Sequence, residues 1–182
     1  MPTPTAERAA ATAAPEVTDP TQHAAVGALE PAFVEDALYL PEALLFDEIL
    51  AVDVASQRVR VRMPTHADLP LTNLQRDVPP KHPRHVSGGL MVHLTGMVAF
   101  VHFYYVLGLR IGDGWSGFGV RIHGARYPRL TTIGPPLELE CEATRVRRLG
   151  GKLVIRYAFR FYQNDELVYE GDQTAMWVQE QA

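Results

Sequence analysis

Apolar residues divide the chain into one long segment typical of a helix and several shorter segments typical of strands. Residues 90–109 contain no charged side chain, and their length and their Ala, Leu and Met content favour a helix over a strand. Four later segments are strand candidates: 117–127, 137–147, 153–162 and 167–178. Gly150-Gly151 and Asn164-Asp165 are typical of hairpin turns, so we expect an antiparallel meander after the helix.

The segment before this helix is predicted to contain a short helix, a hairpin and a long loop. Residues 30–38 are expected to form the short helix, with Pro31 in its first turn. Residues 44–54 and 58–63 are the strands of the hairpin, since the second of them alternates charged and apolar residues. Residues 64–87 hold five prolines, which exclude a regular element and leave a loop long enough to be functional or mobile.

The apolar helix raises the question of what surrounds it. A transmembrane span is one interpretation, since roughly 20 apolar residues suffice to cross a bilayer. However, His93, Thr95 and His102 interrupt the segment, and the sequence downstream has the pattern of a soluble sheet. We therefore interpret it as a helix that is apolar all round because a curved sheet and a second subunit surround it.

Composition favours one globular domain in a reducing, cytoplasmic compartment. The net charge of −4 over 182 residues argues against a nucleic-acid-binding protein, and the single cysteine, Cys141, excludes an internal disulfide and a Cys-rich zinc site. Residues 1–28 are rich in Ala, Thr and Pro and predict a flexible tail, which leaves residues 29–182 as the domain. A secretory signal is the alternative for the tail, but a basic start and a Leu-rich core are missing.

Three segments, in chain order, resemble motifs of the hotdog-fold enzymes. Leu40-Pro41 followed by LLFDEILAVD looks like the opening strand of the β-hydroxyacyl-thioester dehydratases, which often carry an Asp at the position of Asp47. The sequence HVSGG, residues 85–89, resembles the His-Gly-Gly turn of hotdog acyl-CoA thioesterases, with Ser87 in place of the His. The final LVYEGDQTAMWV is similar to the closing strand of both groups. The resemblance implies an α+β hotdog fold, a curved antiparallel sheet wrapped around one long central helix.

The same resemblance places the chemistry at the start of the long helix. A helix N-terminus presents unpaired N–H groups and a partial positive charge. Gly88 and Gly89 let a substrate approach the backbone closely, so they are candidates to bind a thioester carbonyl and stabilise its oxyanion, with Ser87 beside them.

The long helix carries no acidic residue at the positions where these two families place their catalytic acid. The thioesterases carry an acid at the position of Gly96 or Met97, and the dehydratases carry one near that of Leu94, but none of the three is acidic here. Histidine is the natural substitute, because its ordinary pKa lies near neutral pH. His93 is the first catalytic candidate, whereas His102, nine residues later, is expected to point the opposite way and to hydrogen-bond inside the protein.

The loop before the glycines supplies three further candidates. His82 and His85 are alternative catalytic residues, because the dehydratases use a histidine upstream of this helix, in a His-Phe-Pro-Gly type motif that is absent here. Arg84 is a candidate for binding a phosphate of CoA or of a carrier-protein phosphopantetheine. A metal site from these histidines is not expected, since Asp77 is the only carboxylate nearby, and no cofactor is expected either.

The sequence therefore predicts an enzyme of fatty acid or polyketide metabolism that hydrolyses a thioester of CoA or of acyl carrier protein. A dehydratase or hydratase of β-hydroxyacyl thioesters, using His82 or His85, is one alternative. A non-catalytic protein that binds acyl thioesters is the other, because the acid on the helix is missing. We expect a homodimer or a dimer of dimers, with neither nucleic acid nor a membrane as a partner.

Overall fold

The strands of the chain form one curved antiparallel sheet. The computed structural model describes residues 26–180. Its strands are β1 (Gly27–Ala28), β2 (Glu48–Asp53), β3 (Arg58–Thr65), β4 (Trp115–Arg126), β5 (Gly134–Leu149), β6 (Lys152–Gln163) and β7 (Glu166–Gln179). They pair in the order β1-β2-β3-β5-β6-β7-β4, so β4 and the short β1 are the two edges of the sheet in the described range.

One long helix lies against the inner face of this sheet. Two short helices, α1 (Pro31–Asp36) and α2 (Pro41–Leu44), precede it, and α3 (Gly88–Val101) continues into a π-helical turn, His102–Val106. The helical stretch Gly88–Val106 is long and apolar enough to cross a membrane, but 72% of its most apolar window is buried inside the protein. This burial fits the interpretation that protein surrounds the helix.

Charged residues on the outer face of the sheet alternate in sign from strand to strand. The basic columns are Arg58, Arg60 and Arg62 on β3 and Arg156 and Arg160 on β6, and the acidic columns are Glu138, Glu140 and Glu142 on β5 and Glu170 and Asp172 on β7. Ion pairs join neighbouring columns, for example Arg58 with Glu142 at 3.0 Å. Each exposed pair contributes at most about 1 kcal/mol, but opposite charges across neighbouring strands favour this register over others.

The predicted elements of the sheet are found with small changes at their ends. The hairpin of β2 and β3 and the four later strands are confirmed. The predicted meander is wrong for β4, which pairs with β7 at the edge of the sheet, while β5 pairs with β3 and β6. The first predicted hairpin strand starts too early, because α2 reaches Leu44. Strand β5 starts at Gly134, earlier than predicted, because Thr65 Oγ1 accepts the Gly134 N–H at 2.9 Å and donates to the Pro135 carbonyl at 2.9 Å.

The predicted loop before α3 and the predicted N-terminal tail agree with the structure only in part. The predicted loop of residues 64–87 is irregular from residue 66 onward, but its first two residues, Pro64 and Thr65, extend β3. Gly27 and Ala28, at the end of the predicted tail, pair with β2, and the rest of that tail, residues 1–25, lies outside the described residues.

Candidate functional site

One face of α3 is left uncovered over its first two turns. Gly89 and Gly96 are exposed and Val92 and His93 are half-buried, whereas all other residues from Leu90 onward in this helix are buried. Residues three, four and seven positions apart lie on one face of a helix, so these four form a continuous strip. We call Gly89, Val92, His93 and Gly96 the α3 stripe.

A groove of about 360 Å³ lies between the α3 stripe and the edge strand β4. Helix α3 contributes Val92, His93 and Gly96, strand β4 contributes residues 119–122, and Tyr39 and Gln173 also line the groove. Among the described residues that line it, none is an Asp or a Glu. The described lining of the groove therefore offers apolar surface, hydrogen-bonding groups, one histidine and the guanidinium of Arg121, but no carboxylate.

The start of α3 presents two free backbone donors one turn before His93, although Ser87, Gly88 and Gly89 themselves lie outside the groove lining. The N–H groups of Gly88 and Gly89 have no acceptor within residues 26–180, and the Ser87 side chain does not cap the helix. The Tyr127 hydroxyl donates to the Gly88 carbonyl at 3.1 Å, and a Cβ on Gly88 would lie 3.2 Å from the Tyr127 ring. Gly88 thus allows the close approach of Tyr127, while Gly89 stays exposed, as a carbonyl-binding amide must be.

His93 is fixed by a hydrogen bond to helix α2. Its Nε2 lies 2.8 Å from the carbonyl oxygen of Ala43. A carbonyl can only accept, so Nε2 carries the proton and Nδ1 is left as the acceptor nitrogen. The ring of Tyr39 meets the imidazole edge to face, with centroids 5.8 Å apart. In the neutral imidazole this tautomer leaves Nδ1 as the basic nitrogen, and the Cα atom of His93 lies about 6 Å along the helix axis from that of Gly89.

Gly96 leaves open space where the resemblance would place an acid. It lies two turns after Gly89 on the α3 stripe, and a Cβ built on it meets nothing within 4 Å. The sequence already shows that Leu94, Gly96 and Met97 are not acidic. The structure adds that the position of Gly96 is open to the groove.

The three candidates in the preceding loop lie outside the groove lining. His82 and His85 pack against each other with ring centroids 5.1 Å apart, and His85 Nδ1 lies 2.9 Å from the Pro83 carbonyl oxygen. The Arg84 guanidinium donates to the carbonyl of Gln75 at 3.2 Å, so this arginine already has a partner within the loop. His93 is therefore the candidate that the structure brings together with the groove.

Two polar candidates of the sequence are buried in the core. His102 is fully buried, with Nδ1 3.3 Å from the Tyr157 hydroxyl, which agrees with the inward hydrogen bond expected of it. Burial lowers the pKa of His102 to about 4 and raises that of the Cys141 thiol well above its ordinary value. A buried neutral imidazole and a buried protonated thiol have no access to the groove, so we assign neither to the chemistry.

A second cavity, of about 390 Å³, lies on the outer face of the sheet. Its charged residues are already paired, Arg126 with Glu170 and Arg156 with Asp172. The hydrogen bond from Arg156 holds the pKa of Asp172 below its usual range. In residues 26–180, no group of three or more His, Cys, Asp or Glu side chains is placed to hold a metal ion.

Comparison with known proteins identifies the fold. No protein-family model matches the sequence, and a search of curated proteins gives no match. An uncharacterized protein from Pyrococcus horikoshii is 16% identical, with 85% of this chain and 95% of that chain covered and a TM-score of 0.54. The chain has the hotdog fold.

Thioesterases are among the structures that share this hotdog fold. A mutant thioesterase from Pseudomonas aeruginosa is 16% identical, with 73% of this chain and 81% of that chain covered and a TM-score of 0.50. A thioesterase from Haemophilus influenzae is 17% identical, with 72% and 78% covered and a TM-score of 0.50. At these identities the likeness confirms the predicted hotdog architecture, a curved sheet around one long helix.

Sequence reasoning missed Tyr39 and Gln173 as residues of the groove. A signal for Gln173 was present, because the inward-facing row of β7 reads Tyr169, Gly171, Gln173, Ala175 and Trp177. An amide in such a row requires a partner or a role. Tyr39 gives no comparable signal, since it precedes a short helix and reaches His93 only through the tertiary fold.

Proposed function

We propose that the protein binds an acyl thioester at the start of α3 and hydrolyses it with His93 as general base. The observation that carries the proposal is the α3 stripe, which places the free N–H group of Gly89 one helical turn before His93 on an open face, with the free N–H group of the half-buried Gly88 next to it in the chain. A thioester carbonyl held by the two amides leaves room for a water molecule between its carbon and the imidazole. The acyl chain then extends along the groove past Gly96.

The reaction follows from the groups on this stripe. Nδ1 of His93 takes a proton from water as the water oxygen attacks the thioester carbon, and the Gly88 and Gly89 amides stabilise the negative charge on the former carbonyl oxygen. The C–S bond then breaks, and the imidazolium returns its proton to the departing thiolate. The products are a carboxylic acid and a free thiol, and the imidazole is regenerated.

A second copy of the chain belongs to this proposal as a partner. The edge strand β4 exposes Phe118, Val120 and Ile122 beside the groove. An apolar, unpaired edge of this kind needs a cover in solution, and a homodimer provides it and shields the groove from water. We place the dimer in the cytoplasm, where thioesters of CoA and of acyl carrier protein are both available as substrates.

Two substitutions of His93 test the proposal. His93→Ala and His93→Gln should each lower thioester turnover at least about tenfold, since general base catalysis is typically worth 10²–10⁴. Glutamine can still donate to the Ala43 carbonyl, so it retains the hydrogen bond to α2 while removing the base. Turnover is measured as thiol released from a panel of acyl-CoA substrates.

The controls separate catalysis from structural support. His66→Ala, at an exposed position of the loop after β3, should leave the rate unchanged. If His93→Gln retains full turnover and only His93→Ala loses it, His93 supports the structure and the proposed base is wrong.

Binding without turnover is the second candidate, because no carboxylate lines the groove among the described residues. In that case acyl-CoA binds by calorimetry but releases no thiol. Gly96→Glu then distinguishes a site that lacks only its acid from an unrelated site, since the added side chain has open space at this position. A gain of hydrolysis in Gly96→Glu supports the thioester site even when the native chain is inactive.

A further inference from the structure

The floor of the groove contains an amide that is only half satisfied. Gln173 lies on the inward row of β7 and lines the groove. Its Oε1 lies 3.0 Å from Thr95 Oγ1, whose hydroxyl also lies 2.7 Å from the Val92 carbonyl oxygen. Its Nε2 is buried and has no hydrogen-bond partner within residues 26–180. Oε1 of Gln173 and the Val92 carbonyl oxygen both accept, and the single Thr95 hydroxyl proton serves one of them at a time, so Nε2 is the amide atom without a partner in the described chain.

The hydroxyl of Tyr169, which lies near Gln173, does not act as the hydrogen-bond partner of Nε2. Burial raises the pKa of Tyr169, and the Gln173 side chain is close enough to counter part of that rise. However, the two groups do not meet at hydrogen-bond geometry, and the Tyr169 hydroxyl is also buried without a partner in the described chain. Leaving a buried polar group unpaired is unfavourable, because the group loses its hydrogen bonds to water without replacement. The unpaired Gln173 Nε2 and Tyr169 hydroxyl therefore favour a ligand with an oxygen atom that can accept a hydrogen bond from them.

The position of Gln173 along α3 fixes where that oxygen belongs in the ligand. Its anchor, Thr95, is six residues after Gly89, which is about 9 Å along the helix axis. The groove beyond Gly89 is lined mainly by apolar side chains, including Val92, Val120 and Ile122, and Arg121 is the charged side chain of this lining. A ligand that starts at the glycine amides and reaches Gln173 is therefore apolar in the middle and polar at its far end.

We infer that Gln173 is a specificity-determining residue that selects acyl groups of medium length carrying an oxygen at their distal end. This inference rests on the proposed function, since it takes the thioester carbonyl to lie at Gly88 and Gly89. The Gln173 Nε2 group donates to a distal hydroxyl, carbonyl or carboxylate oxygen. Acyl groups that end in a methyl group leave this donor unpaired and are selected against.

Three CoA thioesters of equal chain length test the inference: octanoyl-CoA, ω-hydroxyoctanoyl-CoA and the monothioester octanedioyl-CoA. We expect kcat/KM for at least one of the oxygen-bearing substrates to exceed that for octanoyl-CoA at least about tenfold, the effect of roughly 1.4 kcal/mol. Gln173→Leu should abolish the preference. Gln173→Glu should reject octanedioyl-CoA by like-charge repulsion while still accepting a hydrogen bond from the ω-hydroxy chain.

A matched control and a binding measurement make the outcome decisive. Gln179→Leu makes the same change on the same strand, at an exposed residue bonded to the Asp113 carbonyl, and should leave the preference unchanged. The corresponding CoA thioethers, which cannot be hydrolysed, give the same comparison by calorimetry. If no thioester is hydrolysed, the proposed activity fails, but the thioether affinities still decide the role of Gln173. Equal affinity for all three chains, or an unchanged preference in Gln173→Leu, overturns the inference.

Discussion

His102 is the side chain whose protonation state bears most directly on stability. It is fully buried against Tyr157, and its pKa is lowered to about 4 from an ordinary value of 6.5 because burial disfavours the charged imidazolium. The unfolded chain therefore binds a proton at this residue more readily than the folded chain does. The resulting stability is fully present above pH 6.5 and is lost as the pH falls toward 4, and it amounts to about 3 kcal/mol.

Urea unfolding at pH 7 and at pH 4 measures this contribution. The native chain should lose about 3 kcal/mol more of its free energy of unfolding over this range than His102→Gln, which carries no titratable group at this position. The carboxylates titrate in both proteins, so the difference between the two losses isolates His102. Equal losses in the two proteins would show that the imidazole does not resist protonation in the folded state.

Single residues differ in how far the sequence alone could place them. Nine residues separate His93 from His102, and this spacing was enough to predict that they face opposite sides of α3. His93 was also the histidine of the helix nearer in the sequence to the two glycines at its start. Tyr39 and Gln173 join that region from segments far away in the chain, and no local pattern fixes which strand residue lies opposite which helix residue. The residues in the distal half of the groove could therefore be identified only from the three-dimensional structure.

At the level of elements, the packing of β4 on the core depends on a glycine. A Cβ on Gly117 would overlap the indole ring of Trp177. That ring is buried and stacks on Phe103 with centroids 3.9 Å apart, so it has little room to move. Gly117→Ala should lower the free energy of unfolding by about 1–3 kcal/mol, as other overpacked cores do, and urea denaturation measures the change.

Gly124 provides the matched control on the same strand. A Cβ at this position meets nothing within 4 Å, so Gly124→Ala should change the free energy of unfolding by less than about 0.5 kcal/mol. A similar loss in both variants would assign the effect to the strand backbone instead of to the contact with Trp177.

The elements themselves were largely predictable, because their signals are local. Polar and apolar residues alternate in β3 because only one face of this strand is buried, and α3 is mainly apolar because nearly all of its faces are buried. Asn164 and Asp165 adopt the positive φ angles of 51° and 64° that hairpin turns need. Pro135 precedes the predicted strand 137–147 and nevertheless lies in β5. Its missing N–H is tolerated because the Thr65 hydroxyl bonds to its carbonyl, a contact between residues far apart in the chain.

At the level of the whole molecule, the unpaired edge of the sheet lies beside the groove. The predicted meander is correct for β5, β6 and β7 but wrong for β4, because β4 pairs with β7, the last strand, and not with the strand that follows it. This pairing leaves one side of β4 open over its full length and brings its exposed apolar side chains next to the α3 stripe. Oligomeric state and substrate access are therefore coupled in the proposed dimer.

Phe118→Lys tests this coupling without altering a residue that lines the groove. Phe118 is 55% exposed on β4, and a lysine there places a charge on the edge that a second copy would cover. We expect a shift from dimer to monomer in sedimentation velocity and a fall in thioester turnover, since the groove then loses its cover. Leu74→Lys, which introduces the same side chain at a loop residue that is 79% exposed, should change neither quantity. A Phe118→Lys variant that stays dimeric, or a native chain that sediments as a monomer, would rule out β4 as the dimer edge.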